Sequence, residues 1–318
     1  MTLHPDIARF LRDLPAPDGS PLDPVAIRAA EHAQVLAPED RLPLYAVTDA
    51  TAATRAGEVP VRIYTPVQTD SNGLLVYFHG GAFFSGSLDT HDNVARALAK
   101  ESGYKVVSVG YRLAPESAFP AGLRDGYGVL QWAAEQGDSL GWDGRNLAVA
   151  GDSSGGTMVA AVTAMAHDDG FDRITHQVLF YPPLDLDFDV DRYPSMRANA
   201  RGYGLETAAL KPFNAFYTGS GADPADPLVS PIKRTDLTGL PPALIITAEH
   251  DPMRDEGELY GVRLTQAGVD ATVSRYAGAN HGFVANFSWI PEYYRAFQET
   301  GAFLTRGSAT GQSEGHSI

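Results

Sequence analysis

The sequence predicts an α/β fold in which helices flank a mostly parallel central sheet. From about residue 74, short apolar runs of strand length alternate with longer stretches that carry apolar residues at helical spacing. Such alternation is typical of β-α-β units, in which a parallel sheet is buried on both faces. The chain has 318 residues, which is enough to bury a large core as one large domain or as two ordinary ones.

The individual elements follow in chain order. Residues 45–51 and 59–64 resemble an antiparallel pair of strands that opens the sheet. Six apolar runs then favour buried strands, at residues 74–78, 106–110, 146–150, 177–181, 243–247 and 271–276. Good helix formers at helical spacing predict helices between these runs, over residues 93–100, 126–136 and 157–167.

Two stretches fall outside this alternation. Residues 1–42 predict an amphipathic helix, a proline-rich break and a second helix over 24–36. The apolar face of the first helix consists of Leu3, Ile7, Phe10, Leu11 and Leu14. The second stretch, at about residues 184–227, is longer than a β-α connection needs.

We expect both stretches to form a cap over the carboxyl ends of the strands in the main body, residues 43–305. The apolar face of the first helix would then pack against the 184–227 insertion. The alternative is that both stretches are peripheral helices that cover no site. Four aromatic side chains of the insertion either line a pocket or form the core of the cap, namely Tyr203, Phe213, Phe216 and Tyr217.

Composition argues against several classes of function. The chain has 24 basic and 39 acidic residues, a net charge of −15 and no run of Lys or Arg, so nucleic acid and anionic membranes are poor partners. There are no cysteines, which excludes disulfides, thiolate zinc sites and cysteine nucleophiles. No spacing of histidines or carboxylates suggests a metal site.

Targeting signals are also missing from the sequence pattern. The apolar runs are far shorter than the roughly 20 residues that a membrane-spanning helix needs. The first residues mix charged side chains into their apolar positions and do not resemble a signal peptide. We therefore expect no membrane span and a cytoplasmic protein by default. Residues 306–318 are poor in apolar side chains and predict a disordered tail.

A candidate nucleophile lies in residues 151–156, which read GDSSGG and follow the apolar run 146–150. A reactive serine on a tight strand-to-helix turn needs residues without a Cβ two positions before and after it. Gly151 and Gly155 frame Ser153 in this way, whereas Asp152 would clash if Ser154 were the central residue. Ser153 is therefore the candidate. The alternative is a glycine-rich loop that opens a helix and binds an anion.

A base and an orienting acid follow two later strands. Asp251 comes after the run 243–247, and His281 comes after 271–276. Since parallel strands present their sites at their carboxyl ends, both side chains are expected near Ser153. A neutral His281 would accept the serine proton, and Asp251 would fix its tautomer. Asp255 is the alternative acid.

Backbone donors for an oxyanion are expected from the HGGAF loop at 79–83 and from the residue after the nucleophile. We assign the oxyanion hole to the N–H groups of Gly81, Ala82 and Ser154, and expect the Ser154 hydroxyl to be idle. His79 fits a structural hydrogen-bonding role better than that of a second base. His250 is expected to be exposed or structural, and Asp152 to support the turn.

Five blocks occur in order along the chain, namely HGGAFFSGSLDTHD, YRLAPESAFPA, GDSSGG, DPMRDEG and HGF. Together they resemble the hormone-sensitive-lipase-like branch of the α/β-hydrolases, a family of bacterial carboxylesterases, over roughly residues 60–305. The resemblance implies the α/β-hydrolase fold, a serine esterase without a cofactor and a helical cap. It also implies that Glu116 in YRLAPE is a buried hydrogen-bond anchor. Ala82 departs from the usual HGGG, and Ser154 departs from the usual GDSAGG.

The resemblance implies that residues 43–305 are a catalytic domain that hydrolyses short to medium acyl esters through an acyl-serine intermediate. The partner is then a small-molecule ester, and a homodimer is left open. An amidase, a lactonase or a lyase could use the same triad, because the pocket walls choose the leaving group. A non-catalytic receptor such as the plant gibberellin receptors is disfavoured, because those proteins have lost the catalytic histidine and His281 is present here.

Overall fold

The computed structural model describes residues 2–13, 22–67 and 72–306. Leu14 and all but the first residue of the predicted 306–318 tail lie outside the described residues. One sheet of eight strands forms the centre: β1 (Ala46–Thr54), β2 (Gly57–Thr65), β3 (Leu74–Phe78), β4 (Lys105–Val109), β5 (Leu147–Asp152), β6 (Ile174–Phe180), β7 (Ala243–His250) and β8 (Ala271–Asn280).

The helices of the described part occur between and around the strands. In chain order they are α1 (Pro5–Asp13), α2 (Pro24–His32), α3 (Asp92–Ser102), α4 (Ala121–Glu135), α5 (Gly137–Leu140), α6 (Ser154–Asp168), α7 (Pro194–Ala198), α8 (Thr207–Thr218), α9 (Arg254–Gln266), α10 (Phe283–Asn286) and α11 (Pro291–Leu304). Among the described helices, none is both long and apolar enough to cross a bilayer.

The strands lie in the order β1-β2-β4-β3-β5-β6-β7-β8. β1 pairs with β2 and β2 with β4 in antiparallel fashion, and every later pair is parallel. The chain therefore runs outward from β3 to β4 on one side and returns to β5 on the other. The carboxyl ends of β3 and β5 face the crevice at this switch of direction, where open α/β sheets bind their ligands.

Apolar side chains cover both faces of the sheet. Within β3, Leu74, Val76 and Phe78 point into a core with α4, α6 and α9, while Leu75 and Tyr77 point into a second core with α3 and α11. All five residues of β3 are fully buried. This burial explains why the central strands are continuous apolar runs rather than alternating ones.

The predicted fold class is confirmed, and the elements differ from the prediction mainly at their ends. Each of the six predicted parallel-sheet runs is a strand, and the opening pair is antiparallel. α4 begins five residues earlier than predicted, at Ala121. α9 and α11 were not predicted. The first is acidic over DEGE and the second contains four aromatic residues, so neither shows a simple apolar stripe.

The expected packing of the first helix against the 184–227 insertion is wrong. Ile7 of α1 is fully buried in the core that contains Phe283 and Phe297, and the Phe10 ring lies 5.3 Å from that of Phe287. Leu11 also approaches the insertion at Gly204. On the predicted apolar face Ile7 is buried but Phe10 is 42 % exposed, so helical periodicity identified the buried side of α1 in part and carries no information on which surface it meets.

The insertion contains α7 and α8 and has a small core of its own. Tyr193, Met196 and Leu210 pack there with Met253, which follows β7. Tyr217 at the end of α8 instead joins the main core. The insertion is thus attached to the body by apolar contacts at two separate places.

The turn from β5 to α6 lies against the end of β3 with no space for a side chain. A Cβ on Gly155 would come within 2.0 Å of the Phe78 carbonyl oxygen, and one on Gly151 within 2.3 Å of the Gly155 carbonyl oxygen. Since all of these atoms belong to the backbone, no rotamer change can relieve the clash. Glycine at both positions is therefore required by the packing of two main chains.

We expect Gly155→Ala to lower the free energy of unfolding by about 3 kcal/mol or more, because the added methyl group must push the start of α6 away from the end of β3. Gly170→Ala is the matched control, since Gly170 has φ 72° but nothing within 4 Å of its Cβ position. That control should lose only about 1–2 kcal/mol from left-handed strain. Urea unfolding followed by circular dichroism measures both. Equal losses in the two variants would contradict the close approach.

Candidate active site

Ser153 occupies the sharp turn between β5 and α6. Its φ is 51° and its ψ is −126°, a backbone conformation that residues with a side chain rarely adopt. Its N–H donates to the Phe180 carbonyl at 2.9 Å, which ties the turn to the neighbouring strand β6. The turn projects the side chain out of the sheet at the start of α6.

Three of the residues selected from the sequence form one hydrogen-bonded chain. The Ser153 Oγ lies 2.9 Å from His281 Nε2, and His281 Nδ1 lies 2.7 Å from Asp251 Oδ2. These residues follow β5, β8 and β7, respectively, so the carboxyl edge of the parallel sheet brings them together. The order of contacts, hydroxyl to imidazole to carboxylate, is that of a nucleophile with its base and orienting acid.

Asp251 is fully buried and held in place from several directions. Its Oδ1 accepts a hydrogen bond from the Met253 N–H at 2.9 Å, and its backbone carbonyl accepts one from Asn199 Nδ2 at 2.9 Å. Asp255, the alternative acid, faces away from His281. It accepts from the Ser195 N–H at 2.8 Å and pairs with Arg254. Of the two aspartates, Asp251 is the one that hydrogen-bonds to the imidazole.

The N–H groups of Gly81, Ala82 and Ser154 have no acceptor among the described residues. Gly81 and Ala82 lie in the loop after β3, and Ser154 is the first residue of α6. The Ser154 hydroxyl was expected to be idle, and this was wrong. It accepts a hydrogen bond from the Phe83 N–H at 3.2 Å, which fixes the loop to the turn that carries Ser153.

Buried polar groups beneath the site connect the same two loops. Asp152 accepts from the Tyr77 hydroxyl at 2.6 Å and from the Gly80 N–H at 2.9 Å. Its other oxygen lies 3.6 Å from His91 Nε2. Burial disfavours the charged form of His91, but the Asp152 carboxylate outweighs it and raises the pKa of His91 above its ordinary value. The role expected of Asp152, support of the turn, fits these contacts.

Two histidines, His79 and His91, lie beneath the site, and only His79 was selected from the sequence. His79 was expected to be structural; its Nδ1 lies 2.7 Å from the Gly80 carbonyl oxygen and its ring stacks on Tyr111. Burial and the neighbouring His91 lower the pKa of His79 to about 3, so it is neutral. His91 was missed. Its position in DTHD, within the recognised block, was the only available signal.

Glu256 is a second buried carboxyl group, next to Asp255 in α9. It is fully buried, accepts from the Leu184 N–H at 2.9 Å and has its other oxygen without a partner among the described residues. Burial raises the pKa of Glu256 well above its ordinary value, which favours its neutral form.

A cavity of about 630 Å³ opens above Ser153. Leu205, Leu210, Phe213 and Met253 contribute an apolar wall, and α2 and the segment after it contribute another, with Ile27, Val35 and Leu36. Four non-glycine residues of the described chain have positive φ, and all four line this cavity: Ala82, Phe83, Ser153 and Tyr181. Strained backbone is thus confined to the cavity wall.

The remaining sequence-selected residues lie around the cavity rather than at its reacting centre. Of the four aromatic residues selected in the insertion, Phe213 lines the cavity, Phe216 lies 4.9 Å from the Phe84 ring, Tyr217 stacks on Phe83 and Tyr203 stacks on His250. His250 is buried, as a structural residue would be.

The expectation that Glu116 is a buried anchor is wrong. Its side chain is 57 % exposed and forms a salt bridge with Arg28 at 2.8 Å. The motif that contains Glu116 carries no information on whether its side chain is buried or exposed. Among the described residues, no group of three or more His, Cys, Asp or Glu side chains is arranged to hold a metal ion.

Comparison with known proteins places this geometry in a family. A family model described as the alpha/beta hydrolase fold matches residues 75–285. Carboxylesterase NlhH of Mycobacterium tuberculosis is 40% identical over 274 residues, which are 84% of this chain and 84% of that protein. Ethyl acetate hydrolase of Pseudomonas putida is 36% identical over 309 residues, which are 92% and 95% of the two chains.

A solved structure supports the same assignment over nearly the whole chain. The hyperthermophilic esterase of the archaeon Pyrobaculum calidifontis superposes with a TM-score of 0.86 at 37% sequence identity, and the match covers 98% of this chain and 100% of that one. The chain is therefore a hydrolase that belongs to the α/β-hydrolase fold family, in its hormone-sensitive-lipase-like branch of carboxylesterases.

Proposed function

We propose that the protein is a serine carboxylesterase that hydrolyses short to medium acyl esters through an acyl-serine intermediate. The observation that carries the proposal is the hydrogen-bonded chain from Ser153 through His281 to Asp251, placed beside three N–H groups that have no acceptor among the described residues. The relatives support the reaction class, since they are named as esterases and ester hydrolases.

In the acylation step, His281 Nε2 takes the proton of Ser153 while the Oγ attacks the ester carbonyl carbon. The carbonyl electron pair moves to its oxygen, which receives hydrogen bonds from the N–H groups of Gly81, Ala82 and Ser154. Asp251 holds the Nδ1–H of the imidazole and stabilises the imidazolium. When the tetrahedral intermediate collapses, the alkoxide leaves and takes the proton from His281, giving an alcohol and an acyl-serine.

Deacylation repeats these movements with water. His281 takes a proton from the water molecule as its oxygen attacks the acyl carbon, and the same three N–H groups bind the second oxyanion. Collapse of this intermediate breaks the bond to Ser153 Oγ, which regains a proton from the imidazolium. A carboxylic acid leaves and the free serine is restored.

The size and lining of the cavity support a small or medium acyl group. Its volume of about 630 Å³ lies within the usual range of small-molecule sites, roughly 300–1,000 Å³. Leu210 and Phe213 of α8 form one wall. We propose that the 184–227 insertion and the 1–42 segment together form the cap, and that it excludes water and binds the acyl chain.

Replacing the nucleophile is the first test. We expect Ser153→Ala to lower kcat by at least about 10³-fold and to abolish labelling by an organophosphate, because no other side chain there can carry the acyl group. Ser154→Ala is the control. It keeps its backbone N–H and loses only side-chain contacts such as that with the Phe83 N–H, so labelling persists and kcat falls less than about tenfold. A label mapped by mass spectrometry to Ser154 would contradict the assignment.

The two neighbouring aspartates provide a matched pair. We expect Asp251→Asn to lower kcat by about 10³- to 10⁴-fold, because an amide cannot hold the imidazole in its reactive tautomer. Asp255→Asn should keep kcat within about tenfold, since Asp255 contacts Ser195 and Arg254 and not His281. Melting temperatures of both variants show whether folding is intact. Reversed effects on kcat would make Asp255 the acid.

The cap assignment predicts a change in chain-length preference. Phe213→Ala enlarges the cavity, so the ratio of decanoate to acetate ester hydrolysis should rise, by roughly 3- to 30-fold in kcat/KM. Phe188→Ala is the control, because Phe188 packs in the small core of the insertion and does not line the cavity. Assays with p-nitrophenyl acetate, hexanoate and decanoate measure the ratio. Equal ratios in the two variants would count against α8 as an acyl-binding wall.

Amide and lactone substrates assayed in parallel test the alternative hydrolase reactions.

A further inference from the structure

The loop after β3 has an unusual backbone at the residues proposed to bind the oxyanion. Gly81, Ala82 and Phe83 are consecutive residues with φ of 117°, 50° and 65°. Alanine and phenylalanine adopt this region only where their surroundings hold them in it. The direction of the Gly81 and Ala82 N–H groups depends on these dihedral angles, so contacts that hold the loop also set the direction of the donors.

Contacts from the body of the protein hold one side of the loop. The Phe83 carbonyl accepts from the Ala114 N–H at 2.9 Å, and the Phe83 ring stacks on Tyr217 with 3.8 Å between centroids. Within the loop, the N–H groups of Phe84 and Ser85 both donate to the Gly81 carbonyl, at 3.0 and 2.8 Å.

Arg28 of α2 holds the other side. Its Nε donates to the Phe84 carbonyl at 2.6 Å, and its Nη2 donates to the Ala114 carbonyl at 2.7 Å. One guanidinium therefore joins the loop to the segment that already holds Phe83. The same group pairs with Glu116, but that carboxylate is largely exposed and an exposed ion pair contributes little.

Glu31, one turn further along α2, accepts two hydrogen bonds from residues at the end of the loop. Its Oε1 accepts from the Ser85 hydroxyl at 2.8 Å, and its Oε2 accepts from the Gly86 N–H at 3.0 Å. We call the contacts of Arg28 and Glu31 with residues 84–86 and 114 the α2 clasp.

The α2 helix is not held to the protein by a buried apolar face. None of its nine residues is fully buried. A surface helix that joins two backbone segments through a forked guanidinium and a two-oxygen carboxylate fixes geometry more than it adds hydrophobic stability. The clasp is therefore suited to fixing the geometry of the loop at the site, whereas a core helix mainly stabilises the fold.

We propose that Arg28 and Glu31 are positioning residues, which act through the α2 clasp to keep the N–H groups of Gly81 and Ala82 directed at the oxyanion. The inference rests on the proposed function and extends it. It assigns part of the N-terminal segment to the stabilisation of the transition state, in addition to the cavity wall that Ile27 and Val35 form. Stabilisation of an oxyanion acts on kcat, whereas a wall that binds substrate acts on KM.

Arg28→Met separates the two roles, because Arg28 does not line the cavity and methionine keeps the apolar stem without the donors. We expect kcat for p-nitrophenyl acetate to fall about 10- to 100-fold with KM changed less than about threefold. The Ki of a trifluoromethyl ketone, which forms an oxyanion with the serine, should rise by the same factor as kcat/KM falls. Arg9→Met is the control, since Arg9 is exposed on α1 and pairs only with Asp6.

Rescue at Glu31 supplies a second readout. Glu31→Ala removes both acceptors and should lower kcat in the same way as Arg28→Met. Glu31→Gln can still accept from Gly86 through its amide oxygen and donate to the Ser85 hydroxyl, so it should recover most of the lost kcat. If Arg28→Met does not fold, the comparison of Glu31→Ala with Glu31→Gln tests the proposal on its own. Equal kcat values for these two variants would overturn it.

The outcomes also separate this inference from the proposed function. A raised KM with unchanged kcat and unchanged inhibitor Ki in Arg28→Met would show α2 to be only a wall, and would overturn the clasp while the esterase proposal stands. Activity that survives in Ser153→Ala would instead overturn the proposed function. The expected pattern, a loss of kcat and of inhibitor affinity with organophosphate labelling still at Ser153, supports both.

Discussion

The close approach of the β5–α6 turn to the carboxyl end of β3 is the constraint on which the site depends. Gly151 and Gly155 allow two main chains to touch where any Cβ would collide with a carbonyl oxygen. This contact sets Ser153 beside the loop that begins at His79, and the pairing of β3 with β5 fixes their relative height. The proposed nucleophile and the proposed N–H donors are therefore placed by backbone packing, and side-chain chemistry is added to a geometry that already exists.

Strain and burial are distributed unevenly around this contact. Ala82, Phe83, Ser153 and Tyr181 have left-handed backbones and all lie on the cavity wall. Such conformations persist because the surrounding structure holds them, and here two buried cores lie directly beneath. Tyr77, Gly80 and His91 surround Asp152 under the same turn, so polar contacts support it where apolar ones cannot.

The fold class and the Ser153–His281–Asp251 grouping could be predicted from sequence because each has a local signature. Glycine spacing encodes the turn at Ser153, and the carboxyl ends of parallel strands meet at one edge, which brings Asp251 and His281 to it. The contact of the Ser154 hydroxyl with Phe83 could not be predicted, since it joins loops 71 residues apart. The predicted packing partner of α1 and the predicted burial of Glu116 were both incorrect for the same reason. Periodicity and motifs describe a residue's own segment, and not the distant surface that the residue meets.

The two helix residues of the α2 clasp lie outside the stretch that the family model matches. The family model begins at residue 75, whereas Arg28 and Glu31 belong to α2, which ends at His32. Two proteins of this family could therefore agree throughout the recognised region and still hold their oxyanion loops differently. In a chimera of two such relatives, the N-terminal segment and the loop at 81–86 should therefore come from the same parent. If they came from different parents, the helix side chains and the loop backbone that form the clasp would not be complementary.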